Sequence, residues 1–133
     1  MDLNLKGRVA VITGGAAGIG EVIARELAAE GCNIFILDRD ENGARKVAAS
    51  LAQKGAQAHF AAVEVGDSSA VAQVFSRATG TYGRLDILVN AAGVLSTGLV
   101  TDLPATEWQR VSEVNLSGVL YCVKAAIPFM REK

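Results

Sequence analysis

The sequence predicts an α/β fold: a doubly wound parallel sheet of about four strands, in the order 3-2-1-4, with helices on both faces. Three observations carry that prediction. Short β-branched runs alternate with stretches of helical periodicity. The runs show little polar alternation, as strands buried on both faces of a parallel sheet do. A glycine-rich turn joins the first run to the first helix.

Taken in order, the strands are expected at 9–13, 33–37, 59–65 and 86–90, and the helices at 18–30, 41–53, 68–80 and 106–130. Gly31 and Gly55 stand where helix C-terminal caps are wanted, and Asp67 is placed to cap the third helix. Thr106-Glu107-Trp108-Gln109 has the capping-box pattern and should open the fourth. Helices between consecutive strands imply right-handed crossovers. From Val119 to Met130 only Lys124 and Pro128 interrupt an apolar surface, so the last helix must be covered on several sides. Strand 86–90 would be the last, with an apolar outer edge left unpaired. Both features predict further chain or a partner, a second copy meeting through the long C-terminal helix among them. The polar residues at 131–133 look like a helix end rather than a domain end.

Composition narrows the function classes. The 133 residues fit one domain, spanning 1–133, without linker, repeat or low-complexity stretch. Half the residues are apolar and the formal net charge is −1, which argues against nucleic-acid binding by phosphate neutralisation. Cys32 and Cys122 have no metal-type spacing and sit among apolar residues, so buried, reduced thiols are expected and no metal site. No apolar run reaches about 18 residues and the N-terminus lacks a signal-peptide core, which points to a soluble, cytoplasmic protein with no membrane partner.

The turn Thr13-Gly14-Gly15-Ala16-Ala17-Gly18-Ile19-Gly20 is the most informative stretch. Gly14 allows a sharp turn, Gly18 lets backbone approach a pyrophosphate, and Gly20 lets the helix pack close to the strand it leaves. Unpaired N–H groups and the positive helix end then face the anion. Asp38 follows Gly20 by eighteen positions, close to the ~20 expected of a carboxylate that takes the ribose hydroxyls. Its plainer reading is a helix cap or a solvated charge. A carboxylate there repels a 2′-phosphate, and Ala17 brings no cation to the turn, so NAD is preferred over NADP. Arg39 is the counter-argument, since a guanidinium can meet a 2′-phosphate. Asn90-Ala91-Ala92-Gly93 ends the fourth strand with small residues that leave backbone open to a ligand; Asn90 could equally serve to tie loops together. Asn115, inside an apolar helix, marks either a bend or a polar site. His59, the one histidine, is expected at a strand edge and Trp108 packed against neighbouring loops.

Thr-Gly-x-x-x-Gly-x-Gly at 13–20, Asp38, Val65 followed by Asp67, Asn-Ala-Ala-Gly at 90–93 and Val-Asn at 114–115 together resemble the N-terminal half of a short-chain dehydrogenase/reductase. The resemblance covers nearly the whole chain. It implies a Rossmann-like domain in which NAD(P) exchanges a hydride with an alcohol or carbonyl substrate. It also implies that Gly14, Gly18, Ile19 and Gly20 hold the pyrophosphate, Asp38 the ribose, and Val65 the adenine, with Asn90, Ala91, Ala92 and Gly93 lining the adenosine side. Asn115 matches the asparagine that holds a water in the family's proton relay. Glu64 departs from the family, which has Asp there to meet the adenine amino group.

The family's chemistry needs a serine and a Tyr-x-x-x-Lys, because a tyrosine with an ordinary pKa near 10 takes an alcohol's proton only beside a cation. No Tyr-x-x-x-Lys occurs in this sequence; Tyr121 and Lys124 are three apart and read as core helix. The expectation is therefore a cofactor-binding half that alone binds the adenosine diphosphate part of the coenzyme weakly at best and does not turn over. The alternative is a non-catalytic nucleotide-binding or oligomerising module.

Overall fold

The computed structural model describes residues 1–131. Its strands are β1 (Val9–Thr13), β2 (Asn33–Asp38), β3 (Ala58–Ala62) and β4 (Ile87–Asn90). All pair in parallel, in the order β3-β2-β1-β4. The helices are α1 (Gly18–Ala29), α2 (Glu41–Gln53), α3 (Ser68–Tyr82), α4 (Ala105–Ser112) and α5 (Gly118–Met130). This is the expected doubly wound order.

Alternation along β1 and β2 builds two apolar layers rather than one apolar and one wet face. Val9, Val11, Phe35 and Leu37 point into a core closed by α3 and α5, where Val71, Phe75, Cys122 and Ala126 are buried. Ala10, Ile12, Ile34 and Ile36 point the other way, onto Ala24 of α1 and Ala44, Val47 and Leu51 of α2. Each fully buried aliphatic or aromatic side chain there contributes roughly 1.5–3 kcal/mol relative to an exposed one.

Helix ends follow the expected chemistry in three cases. Gly31 and Gly55 take positive φ of 88° and 91° just past α1 and α2. Beyond each, the next amide donates back to Leu27 and Leu51 respectively, closing the paired-bond C-terminal motif. Asp67 caps α3 by accepting from Ala70 N at 3.1 Å. α3 runs on to Tyr82 and stops at left-handed Gly83.

Four expectations need correction. β3 ends at Ala62 instead of 65; Val63 and Val65 leave the ladder yet stay buried against the α3/α5 side. Thr106 does not cap the fourth helix. Pro104, extended at φ −64° and ψ 145°, takes the cap position without a side-chain bond, so the helix starts one residue early and Thr106 falls inside it. The expected helix 106–130 is interrupted by a π-helical turn over Glu113–Ser117. Trp108 does not pack against loops but stands exposed. Of the polar chain end, Arg131 caps α5, while Glu132 and Lys133 lie outside the described residues.

Candidate cofactor site

The carboxyl ends of β1, β2 and β4 meet around a cavity of about 290 Å³. It is lined by Gly14, Ala17 and Gly18 from the turn, Asp38 and Arg39 after β2, Val63, Glu64 and Val65 after β3, and Ala91 to Val94 after β4. Ligands of open α/β sheets lie at this crevice, where strand order reverses.

The glycines divide the labour as their surroundings dictate. At Gly14 φ is +66°, and a Cβ would come within 2.6 Å of Ala92 N and 2.7 Å of the Ala91 carbonyl. Only glycine lets β1 turn there while the 91–92 backbone closes over it. At Gly20 a Cβ would overlap the Gly14 carbonyl oxygen, so the helix grips its own turn. Gly18, at φ +57°, faces open space with nothing within 4 Å. Ala17, in the N-cap position of α1, supplies no side-chain cap, whereas Asp40 and Asp67 cap α2 and α3. The first amides of α1 are thus left to a ligand or to water, beside a residue that takes up no room.

Asp38 is held rather than dangling. Its Oδ2 accepts from Ala16 N at 3.0 Å and its Oδ1 from Asp40 N at 2.9 Å. Those bonds tie the turn to the end of β2 and fix the carboxylate's plane, leaving further lone pairs for hydroxyl donors. The helix-capping role that Asp38 could have filled belongs to Asp40, which accepts from Gly43 N.

Asn115 combines both readings that its sequence position allows. It lies in the π-helical turn, and its side chain bridges to the strand side: Val94 N donates to Oδ1 and Nδ2 donates to Val94 O, both at 2.8 Å. Both polar side-chain atoms are thereby engaged with backbone. The bridge holds the segment after Gly93 on α4/α5, and a Cβ at Gly93 would sit 3.4 Å from Oδ1. One turn on, Gly118 makes room for Val65: a Cβ there would come within 2.7 Å of Val65 Cγ2.

Among the residues singled out from sequence, Gly14, Ala17, Gly18, Asp38, Glu64, Val65, Ala91, Ala92 and Gly93 line the cavity. Gly20 lies beneath the turn, Ile19 is 78% exposed, Asn90 ends β4 opposite Thr13, and Asn115 acts through Val94. Sequence reasoning gave no site role to Leu37, Val63, Val94 or Val114 on the walls, nor to the buried Thr13, whose Oγ1 accepts from Ala92 N at 3.2 Å, although Thr13 and Val114 stand in the motifs that carry the resemblance.

Neither tyrosine is placed as a base. Tyr82 donates to Ile34 O at 2.8 Å and burial pushes its pKa up to about 12; Tyr121 packs half-buried on the α3/α5 core. His59 lies exposed in edge strand β3, its Nδ1 2.8 Å from Tyr82 Oη. Both thiols are buried and unpaired, with burial raising Cys122 to about 11. Among the described residues, no three His, Cys, Asp or Glu side chains gather as metal ligands, and no helix is long and apolar enough to cross a membrane.

A four-stranded parallel sheet in this order, with a glycine turn opening α1 and an acid ending β2, defines a Rossmann-like α/β class. The short chain dehydrogenase family model matches residues 8–133, and the chain belongs to that family. It is 37% identical over 130 residues to 2,3-dihydro-2,3-dihydroxybenzoate dehydrogenase of Bacillus subtilis (strain 168), covering 98% of this chain and 50% of that one. NAD+-bound xylitol dehydrogenase superposes with a TM-score of 0.91 at 31% identity, covering 95% of this chain and 49% of that one. A blue fluorescent protein from a metagenomic library, in complex with NADPH, gives 0.90 at 32%, covering 96% and 53%. The chain spans about half the length of the curated relatives it matches.

Proposed function

We propose that this chain is the cofactor-binding half, residues 1–133, of an NAD-dependent oxidoreductase of the short-chain dehydrogenase/reductase type. The nicotinamide coenzyme, when bound, supplies the hydride acceptor or donor for a small alcohol or carbonyl substrate. The chain's own residues bind and orient. Amides at the start of α1, beside Gly18, take the pyrophosphate, with Gly14, Ile19 and Gly20 shaping the turn. Asp38 accepts from the adenosine ribose hydroxyls. Val65 and Glu64 flank the base, and Ala91 to Gly93, after Asn90, lie along the adenosine side. Asn115 positions that segment through Val94.

The observation that carries the reading is the Asp38 carboxylate, fixed by two backbone donors at the rim of the cavity that Gly18 leaves open. Fixed negative charge there disfavours a 2′-phosphate, which supports NAD over NADP. Arg39 also lines the cavity, so the preference turns on which of the two meets the ribose. Without a Tyr-x-x-x-Lys, this chain binds the adenosine diphosphate part weakly at best and does not turn over; an alcohol or carbonyl substrate requires a C-terminal half to complete the site. The reading includes a cytoplasmic location, supported by two unpaired buried thiols.

Calorimetric titration of the 133-residue chain with NAD and NADP tests this. NAD is expected to bind at least roughly tenfold more tightly, about 1.4 kcal/mol, with Asp38→Ser erasing the difference. Equal affinities in the parent chain refute the NAD preference. Steady consumption of NADH with a panel of ketones refutes the absence of turnover.

A second reading has its own observation. Leu116 in the π-helical turn and Leu120 and Ile127 on α5 are exposed at four- and seven-residue spacing, a stripe suited to a second copy. A discrete dimer that binds NAD tightly favours a non-catalytic oligomerising module.

A further inference from the structure

β3 pairs only with β2, so among the described residues no strand takes up the peptide groups along its other edge. Proteins usually blunt such an edge with lysine, proline or a bulge inside the strand. The residues Ala58-His59-Phe60-Ala61-Ala62 contain no lysine, acid or proline, and their register against β2 is unbroken.

A groove of about 270 Å³ opens beside this edge. Its floor is made of small residues, Ala48 and Ala52 of α2 among them, and its walls carry Arg45, Phe60, His59 and Arg77. α2 and α3 cover opposite faces of the sheet, so Arg45 and Arg77 flank the strand edge from either side. Arg45 Cζ lies 5.9 Å from the centre of the Phe60 ring, which steadies it by cation–π attraction. Among the described residues neither guanidinium forms an ion pair. His59 is fixed as well. Tyr82 donates its proton to Ile34 O, so His59 Nδ1–H donates to the phenol oxygen while the ring stacks on Phe35.

Charge along this rim is one-sided. Residues 42–63 hold Arg45, Lys46 and Lys54 with no acid, and residues 68–85 hold Arg77 and Arg84 with no acid, in a chain of net charge −1. Arg84 is taken by Asp86; the others are free to attract.

We propose that the β3 edge accepts an acidic, extended segment of another protein as an added strand. Successive side chains of a strand point to opposite faces. Neighbouring carboxylates on the incoming segment therefore meet Arg45 on one face and Arg77 on the other, while its backbone satisfies the open edge. A second copy is a poor occupant, because two such edges laid together bring four guanidiniums into one groove. A nucleic acid strand answers the arginines but offers no peptide N–H to the free carbonyls of β3.

Fluorescence anisotropy with a labelled peptide of about ten residues, alternating Glu-Glu with Val-Thr, tests the proposal on the full chain. Saturable binding is expected. Arg45→Glu combined with Arg77→Glu should weaken it by roughly tenfold or more while leaving NAD affinity and the melting temperature unchanged. The milder Arg45→Gln/Arg77→Gln pair replaces it should the charge reversal fail to fold. The same peptide N-methylated at alternate amides should lose a similar factor, since it cannot complete the ladder. The proposal is overturned by absence of saturable binding, by equal affinity in the arginine variants, by equal binding of the N-methylated peptide, or by tighter binding of a single-stranded oligonucleotide to the same arginines.

Discussion

β2 and β4 both lie against β1, yet they stand in opposite circumstances. β2 is clasped by β1 on one side and β3 on the other, and its four central residues are buried. Among the described residues β4 pairs with β1 alone, and none of its four residues is fully buried. The difference extends to the segment beyond each strand. After β2 the chain enters α2, whose apolar face is matched to Ile34 and Ile36. After β4 come Leu95, Leu99, Val100, Trp108, Leu116, Leu120 and Ile127, all large, apolar and exposed. The two flanks teach that the crevice lined by Gly14, Asp38 and Ala91 to Val94 is built at a seam. One wall rests on a finished core, the other on a strand paired along one edge only among the described residues and clamped at both ends.

Those two anchors are where the comparison can be broken. At the carboxyl end, Gly14 N donates to Leu37 O on the β2 side, while the place of its missing Cβ is filled by Ala91 and Ala92 on the β4 side. A side chain at Gly14 therefore pushes the flanks apart. Gly14→Ala is expected to cost roughly 2–4 kcal/mol, combining left-handed strain with overlap against backbone. Gly18→Ala adds only the strain, about 1 kcal/mol, because nothing stands near its Cβ, but it should abolish NAD binding. Chemical denaturation and calorimetry of the two variants separate them. Equal losses of stability would mean that the seam is not a point of contact.

The glycine pair shows how far the sequence could be read. Gly14, Gly18 and Gly20 announce themselves by spacing, and Asp38 by its distance from them, because strand, turn and helix are consecutive in the chain. Strand order was legible for the same local reason, through helices between apolar runs. What escaped notice depends on residues far apart in sequence. Gly118 carries no local signature; its role exists only because Val65 packs on it. The pairing of His59 with Tyr82 spans twenty-three positions, and the Asn115 bridge to Val94 spans twenty-one. The capping box at Thr106 misled because Pro104 was already committed to the cap geometry, two residues upstream.

The other anchor of β4 is ionic. Asp86 accepts from Val9 N at 2.9 Å, and its carboxylate also takes Arg84 Nε at 2.7 Å and Arg8 at 3.3 Å. The Arg84 hydrogen bond leads in holding its pKa down, from 3.8 to about 2, with the Val9 amide adding to it. A depressed folded-state pKa stabilises the fold above the unfolded value and is lost as pH falls through the folded one. The contribution is roughly 1–2 kcal/mol, present above about pH 4 and gone near pH 2. Asp86→Asn should remove it at neutral pH and flatten the acid limb of a melting-temperature profile. A variant whose acid limb overlays that of the parent would place the clamp on β4 elsewhere.

The smallest effect on folding belongs to the outer surface of the β4 flank. Leu116 and Leu120 are 73% and 55% exposed, so the folded chain derives little from burying them. Leu116→Lys with Leu120→Lys is expected to shift stability by no more than about 0.5 kcal/mol. On the other flank, Ile36→Ala, at a position with no exposure, should cost about 2–5 kcal/mol. Self-association should respond in the reverse order: sedimentation velocity is expected to show the lysine pair as a smaller species than the parent, with Ile36→Ala unchanged where it remains folded. Two lysines that destabilise the chain as much as the core truncation would show that the helix stripe is covered within the fold. In that case β4 is no less finished than β2, and the asymmetry of the seam disappears.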